Sequence, residues 1–330
     1  MLILAKSILG LTLGFVLAII TGLLIIPVLR RLKAGQTVSR LINERHLKKD
    51  GTPTIGGLIF IIPVILSICM LGLKGSIEFN SNLIIILFVF LSYAILGFID
   101  DFLKIKYKNN AGLSTLTKLF CQLVIAIVFY IIYKYNGGTT VLEVSLLNIK
   151  WDLGFMYGIF ILFILVGTTN AVNITDGLDG LCGGLSVMSF LAYGVIAWGS
   201  TWISGYDTIA IFSFVLVGGI LGFLLFNTHP AKVFMGDTGS LALGGALASI
   251  AILTHHELSL LLIGGVFVIE TLSSFIQIVA IRRFKKKVFL KAPIHHHFEE
   301  LGWTETDIVK VFWVVGFLLA MFGVVYGVWL

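Results

Sequence analysis

Apolar residues run along this chain in long stretches, and polar and charged residues are concentrated between them. A helix that crosses a bilayer needs about 20 mostly apolar residues, so the pattern predicts ten membrane helices. The predicted stretches are Ile8–Leu29, Ile55–Leu73, Leu83–Ile99, Lys118–Tyr135, Leu153–Thr169, Leu181–Trp198, Asp207–Phe226, Ser240–Thr254, Leu258–Ile281 and Ile308–Trp329. They lack a two-residue alternation and are longer than barrel strands, which excludes a transmembrane β-barrel.

The composition also indicates a membrane protein. Of the 330 residues, 58% are hydrophobic and 12% are charged, whereas soluble proteins average roughly 45–50% and about 25%. Such a chain has too few polar residues to cover a water-facing surface, which excludes an ordinary soluble enzyme. No separate soluble module is visible, so we expect one all-α integral-membrane domain over residues 1–330. Two arginines, rather than a cleavage signal, follow the first stretch, which predicts a retained helix.

Basic residues crowd the alternate connections between the stretches. Eighteen of the 23 lysines and arginines lie in the first, third, seventh and ninth connections. The positive-inside rule places these connections in the cytoplasm. An even number of spans then puts both termini on the periplasmic or extracellular side. Because the basic residues lie beside apolar stretches, topology and contact with anionic lipid explain them better than nucleic acid does.

Two adjacent acids, Asp100 and Asp101, end the third stretch on the predicted cytoplasmic side. Adjacent carboxylates repel each other unless a cation offsets their charge. Lys104 is one helical turn from Asp100 and is placed to pair with it. An acid at a helix C-terminus opposes the helix dipole, which favours a site for a divalent cation or phosphate chemistry. A solvated helix end with a local ion pair is the alternative.

Further polar groups occur in two glycine-rich cytoplasmic segments. Asn173, Asp176 and Asp179 recur at intervals of three, next to apolar runs where unpaired carboxylates are costly, which favours a polar-ligand pocket over a short polar loop. Asp237 precedes the eighth stretch. It is placed either to cap that helix or to bind magnesium, while the neighbouring glycines let a phosphate approach.

A run of three histidines, His295, His296 and His297, lies in the ninth connection. Consecutive spacing suits zinc poorly, since helical metal pairs prefer positions four apart. The imidazoles are able to donate hydrogen bonds to an anionic substrate, and a solvated cluster is the alternative. No role is predicted for His229. Glu270 lies inside an apolar stretch, which predicts a partner on another helix.

Five motifs together resemble the phospho-N-acetylmuramoyl-pentapeptide transferases, within the polyprenyl-phosphate hexose-1-phosphate transferase superfamily. They are GTPTIGG from Gly51, DDFLK from Asp100, NITDGLDG from Asn173, KVFMGDTGSLALGGAL from Lys232 and APIHHHFE from Ala292. The last motif is the most discriminating, and the resemblance covers essentially the whole chain. It implies a homodimer of ten transmembrane helices with a cytoplasmic active-site cleft.

The resemblance also implies the reaction and its participants. The substrates would be UDP-N-acetylmuramoyl-pentapeptide and undecaprenyl phosphate, and the products undecaprenyl-diphospho-N-acetylmuramoyl-pentapeptide and UMP. The cofactor would be Mg²⁺. Either direct attack by the lipid phosphate or a covalent aspartyl-phosphate intermediate is compatible with the motifs, and we favour direct attack.

Individual site residues follow from the matched motif positions. Asp237 corresponds to the metal ligand, Asp100 to the group that deprotonates the lipid phosphate, and Asp101 to its essential neighbour, while His296 is expected to take part in catalysis. Phe234 corresponds to the aromatic residue that stacks on uracil. The further substrate-binding positions are Lys49, Thr54, Lys104, Lys108, Lys118, Asn173, Asp176, Asp179, Asn227 and His297.

Three other functions remain as alternatives at this point. A second enzyme of the same superfamily would use a UDP-N-acetylhexosamine instead. A secondary transporter would carry carboxylates near the bilayer midplane, where this sequence places only Glu270. A structural membrane protein would tolerate loss of the acids.

Overall fold

The computed structural model describes residues 2–32, 51–107, 112–144, 149–200 and 203–329. These ranges are mostly helical. The elements are α1 (Ile3–Arg31), α2 (Leu58–Leu73), α3 (Ser81–Tyr107), α4 (Thr115–Tyr135), β1 (Val141–Val144), β2 (Ile149–Asp152), α5 (Phe155–Thr175), α6 (Leu181–Gly199), α7 (Tyr206–Asn227), α8 (Gly236–Leu253), α9 (Leu260–Ile263), α10 (Gly265–Val279), α11 (Ile294–Glu300) and α12 (Glu305–Trp329).

Each of the ten predicted apolar stretches falls on helix. Within the described ranges, nine helices are long and apolar enough to cross a membrane, and α2, with 16 residues, is an apolar but shorter helix. The chain is therefore a multi-pass membrane protein, as the hydrophobic pattern predicts.

The prediction that the third helix ends at the two acids is wrong. Helix α3 continues to Tyr107, so that Asp100 and Asp101 lie inside it, each 2% exposed. The apolar pattern reports only the part of a helix that contacts lipid. The helix itself continues beyond that part where its polar side chains find partners. Lys104, on the next turn of α3, provides such a partner.

Two further features are absent from the hydrophobic pattern or only hinted at by it. Strands β1 and β2 form an antiparallel hairpin between α4 and α5, with Val141 opposite Asp152. The ninth stretch is broken at Gly264, between α9 and α10, and continues from α10 into a π-helical turn over Ala280–Phe284.

Helices α7 and α8 form the buried centre of the bundle, and nearly every residue of α8 is buried. Helix α1 packs on α7 through small residues four apart, Gly10, Gly14, Ala18 and Gly22. A Cβ built on Gly14 would lie 2.4 Å from the carbonyl oxygen of Val215. Small residues let membrane helices approach this closely, and van der Waals contact then holds them together.

The same principle places α3 against the first turn of α8. A Cβ built on Gly97 would lie 2.1 Å from the carbonyl oxygen of Asp237 and 2.6 Å from the amide nitrogen of Thr238. Gly97 is one helical turn before Asp101. The absence of a side chain at residue 97 therefore brings the acids of α3 within reach of α8.

We predict that Gly97→Ala destabilises the protein, because the added methyl group meets backbone atoms that have no alternative rotamer. Overpacking of this kind costs about 1–3 kcal/mol. Thermal unfolding in detergent measures the change. Gly167→Ala is the control, since a Cβ there meets no atom within 4 Å. An unchanged melting temperature for Gly97→Ala would contradict the packing described here.

Candidate active site

Four helix ends meet at one end of the bundle and carry six of the predicted site residues. They are the C-terminal ends of α3 and α5 and the N-terminal ends of α4 and α8. The acids of α3 thus lie beside Lys118 in the first turn of α4 and Asp237 in the first turn of α8. Groups far apart in sequence converge because antiparallel helices bring alternate ends to the same side.

Asp237 is at the centre of this cluster. Its Oδ2 lies 3.1 Å from Lys104 Nζ and accepts a hydrogen bond from Lys118 Nζ. Its Oδ1 accepts a hydrogen bond of 2.8 Å from Asn173 Nδ2, which also donates to Ser240 Oγ at 2.8 Å. Two lysines and one amide therefore orient a single carboxylate.

Asp100 joins the same charge network from α3. Its Oδ2 lies 2.6 Å from Lys104 Nζ and 3.7 Å from Lys118 Nζ. Its Oδ1 accepts a hydrogen bond of 2.8 Å from the amide of Leu113, in the segment before α4. The predicted pairing of Asp100 with Lys104 is confirmed, and Lys118 adds a second cation.

Asp101 serves as a cap for α8. Its Oδ2 accepts hydrogen bonds from the amide of Thr238 at 2.9 Å and from Thr238 Oγ1 at 2.7 Å. Its Oδ1 accepts a longer bond of 3.2 Å from the amide of Asp237. The first amides of a helix have no partner within the helix and carry partial positive charge, so a carboxylate stabilises them. An acid of α3 thereby fixes the position of Asp237.

The three carboxylates have the donor set of a hard divalent cation. One oxygen from each of Asp100, Asp101 and Asp237 lies within 4.8 Å of the others. Oxygen ligands of this kind suit Mg²⁺, which typically binds one or two carboxylates and completes its shell with water and substrate phosphate. Because Asp101 already accepts hydrogen bonds from α8, Asp100 and Asp237 are the more available ligands.

Asp176 lies at the C-terminal end of α5, close to this cluster. Burial, together with the charges of Asp237 and Asp101, raises the pKa of Asp176 to about 7. A carboxyl group with this pKa exchanges a proton near neutral pH.

Two loop segments complete the wall of the site. The amides of Gly56 and Gly57 donate to the carbonyls of Phe234 and Met235, and the amide of Phe234 donates to the carbonyl of Pro53. This pairing buries Thr54 beside Gly236. Gly236 has φ +73°, and a Cβ there would lie 2.5 Å from Asp101 Oδ2, so both the turn and the close approach require glycine.

Comparison with known proteins agrees with this geometry. The sequence model described as glycosyl transferase family 4 matches residues 83–255. The chain is 47% identical over 96% of both chains to the phospho-N-acetylmuramoyl-pentapeptide-transferase of Bacillus subtilis, and 46% identical over 98% of both chains to that of Geobacillus thermodenitrificans. The chain belongs to glycosyl transferase family 4, among the phospho-N-acetylmuramoyl-pentapeptide-transferases.

A second network of this family 4 chain holds two more predicted residues. Asp179 is buried and its Oδ2 accepts a hydrogen bond from the amide of Ala231 and lies 3.1 Å from His229 Nδ1, while its own amide donates to Glu305. Asn227 accepts from the amide of Gly180 and donates to the carbonyl of Val233. Both side chains tie loops together beside the carboxylate cluster.

The remaining predicted residues make other contacts or lie outside the described ranges. His296 Nδ1 lies 2.5 Å from Glu299 Oε2 on α11, and His297 Nδ1 accepts a hydrogen bond from the amide of Leu290. The stacking of Phe234 on uracil stays a prediction. Lys49 and Lys108 lie outside the described residues.

Sequence reasoning missed several groups that support the site. The hydroxyl group of Thr238 donates to Asp101, and that of Ser240 accepts from Asn173. The only sequence signal for these contacts is the presence of hydroxyl residues in the DTGS segment. No local pattern predicts that His229 and Glu305 contact Asp179, because the three residues are far apart in sequence.

We predict that Asp101→Asn lowers the melting temperature in detergent. The new amide group would place an N–H against the amides of α8, and a buried donor without an acceptor costs about 1–3 kcal/mol. Asp307→Asn is the control, because Asp307 is an exposed acid in the first turn of α12. An Asp101→Asn protein as stable as the unmodified chain would contradict the capping role.

The raised pKa of Asp176 predicts a pH-dependent stability. Its folded-state pKa of about 7 lies above the ordinary value of 3.8. This group therefore favours the folded state at low pH, and that contribution is lost as the pH rises from about 4 through about 7. Asp176→Asn should raise the melting temperature at pH 8 and have less effect at pH 5, without magnesium or nucleotide.

The exposed acid Glu78 provides the control for this measurement. Because its side chain is exposed, Glu78→Gln should leave the melting temperature nearly unchanged. If Asp176→Asn changed the melting temperature equally at pH 5 and pH 8, the ionised form of Asp176 would not be what destabilises the folded state.

Proposed function

We propose that this protein transfers phospho-N-acetylmuramoyl-pentapeptide from UDP-N-acetylmuramoyl-pentapeptide to undecaprenyl phosphate and releases UMP. This is the first membrane step of peptidoglycan synthesis. The names of the related transferases of Bacillus subtilis and Geobacillus thermodenitrificans support the activity. The observation that carries the proposal is the cluster of Asp100, Asp237, Lys104 and Lys118 at the ends of membrane helices, where a soluble and a lipid-bound substrate are able to meet.

The chemistry requires little beyond positioning and neutralisation of charge. A lipid phosphate oxygen forms a bond to the sugar-linked phosphorus of the nucleotide, and the bond between that phosphorus and the oxygen of the UMP phosphate breaks. Asp100 is placed to accept a proton from the lipid phosphate. Lys104 and Lys118 are placed to contact phosphate oxygens as point charges, since each ammonium group already faces anionic oxygens. Direct attack uses each of these groups, so we prefer it to an aspartyl-phosphate intermediate.

Asp237 would be the principal ligand of a magnesium ion, with Asp100 beside it. The bound ion would neutralise negative charge on the pyrophosphate and on the departing UMP. The carboxylate donor set fits this assignment, and Asn173 orients Asp237 through the bond to Oδ1.

The C-terminal part of α10 and the basic segment after it support a lipid-binding role for this part of the chain. A cavity of about 410 Å³ lies along α10, with aliphatic Ile278, Ile281 and Leu290 and the cationic Lys287 and Lys291 in its wall. An isoprenoid phosphate combines an apolar chain with an anionic head, and this wall offers both kinds of contact. We propose that the acceptor lipid approaches along α10.

Orientation and assembly complete the proposal. The distribution of basic residues favours a cytoplasmic active site with both termini on the opposite side of the membrane. Ten transmembrane helices and a homodimer follow from the resemblance to the family. We propose that His296 contributes to catalysis. The residues proposed to bind substrate are Thr54, Asp176, Asp179, Asn227, Phe234 and His297, and the same role is proposed for Lys49 and Lys108.

The purified protein should release UMP when given UDP-N-acetylmuramoyl-pentapeptide, undecaprenyl phosphate and Mg²⁺. Asp237→Asn, or chelation of magnesium, should lower turnover by about 100-fold or more, because the developing charge loses its stabilisation. Coupled detection of UMP and mass spectrometry of the lipid product measure the reaction. Asp207→Asn, an acid in the first turn of α7 at the opposite end, is the matched control.

The substrates separate the competing functions. Faster turnover of a UDP-N-acetylhexosamine than of the muramoyl-pentapeptide nucleotide would assign the chain to another branch of the superfamily. Wild-type turnover by Asp237→Asn would contradict the metal assignment. Transport of either substrate without UMP release would overturn the proposal.

A further inference from the structure

Glu270 is a carboxylate within α10 that the proposed chemistry does not use. It is 0% exposed, and its Oε2 lies 2.9 Å from Nδ1 of His295, which is itself 1% exposed. The partner on another helix that the sequence predicts for Glu270 is thus the first of the three histidines. A carboxylate is expensive to bury unless it is paired, so the retention of a glutamate here calls for a physical reason.

The pair contacts the polar turn that follows α5. A Cβ built on Gly177 would lie 2.4 Å from His295 Nε2. Gly177 follows Asp176, and its amide donates to the carbonyl of Thr175, so the imidazole fills the space directly beneath this turn. Any larger residue at position 177 would displace either the turn or the ring.

The pair also leaves two atoms without partners. Among the described residues, neither Glu270 Oε1 nor His295 Nε2 has a hydrogen-bond partner. The carboxylate accepts from Nδ1, so the proton is held on that nitrogen and Nε2 is directed at the turn. An ionic partner that fixes one nitrogen of a histidine fixes the orientation and tautomer of the ring, as the orienting carboxylate does in a catalytic triad.

His295 in turn lies in the first turn of the short helix α11. The rings of His295 and His296 are 4.2 Å apart, and His296 and His297 follow on the same helix. The orientation of His295 therefore determines where α11 lies relative to the turn that contains Asp176.

We propose that Glu270 is a positioning residue. It acts through His295 to hold α11 and its histidines against the turn between α5 and α6, and it makes no contact with substrate. This inference rests on the proposed function, because its main measurement is transferase turnover.

The test is a double-mutant cycle between Glu270→Gln and His295→Gln. Glu270→Gln keeps the shape of the side chain and removes its charge. We expect it to lower kcat about 10- to 100-fold, as is typical when the partner that orients a functional histidine is lost, with the KM for undecaprenyl phosphate unchanged. In the His295→Gln background the same change should have little further effect, because Glu270 is proposed to act only through His295.

Glu257→Gln is the matched control. Glu257 is also a buried glutamate, 2% exposed, but it accepts a hydrogen bond from Tyr157 and lies in the connection after α8, at the other end from the carboxylate cluster. It should retain wild-type kcat. Size-exclusion chromatography and thermal unfolding in detergent should show all variants folded. Should Glu270→Gln fail to fold, Glu270→Asp, which keeps the charge but shortens the side chain, takes its place in the cycle.

A second readout does not depend on turnover. The rise in melting temperature on adding UDP-N-acetylmuramoyl-pentapeptide should be reduced by Glu270→Gln and by His295→Gln, and by no more in the double variant. Wild-type kcat for Glu270→Gln, or losses from the two variants that simply add, would overturn the positioning role. An unmodified protein that binds the nucleotide but releases no UMP would instead overturn the proposed function, and the binding cycle would still decide the role of Glu270.

Discussion

Mutual repulsion among three carboxylates is the constraint on which this structure depends. Asp100, Asp101 and Asp237 bring their oxygens within 4.8 Å of one another at the ends of membrane helices. In such surroundings the charges persist only if each finds compensation. Lys104 and Lys118 compensate two of them, and the amides at the start of α8 compensate the third. The approach of α3 to α8 at Gly97 makes the last of these contacts possible.

Much of this arrangement follows from the sequence. Apolar stretches predict the helices because lipid solvation depends on composition, and the pairing of Asp100 with Lys104 follows from one helical turn. Antiparallel neighbours then bring the acidic segments to a common end. The wrong prediction concerns the end of α3, because the pattern of lipid contact does not report where backbone hydrogen bonding stops.

Other parts of the site depend on contacts that no local pattern encodes. Asp101 caps a helix whose first residue lies 135 positions later, and Asp179 meets Glu305 126 positions later. The hairpin of β1 and β2 arises from cross-strand pairing in a short connection whose residues are partly charged. The three histidines look equivalent in sequence, yet His295 is buried against Glu270 whereas its two neighbours are half-buried. Tertiary packing alone separates them.

The capping of the first α8 amides by Asp101 has a consequence for how the molecule is made. Domains fold during synthesis in the order in which segments leave the ribosome. Helix α3 is inserted into the bilayer long before α8 has been translated. Until then Asp101 lacks the α8 amides that later donate hydrogen bonds to it. During that interval Lys104 is the nearest cation on the same helix. The positive charge of Lys104 therefore offsets the charge of the two acids until the rest of the polypeptide has been inserted.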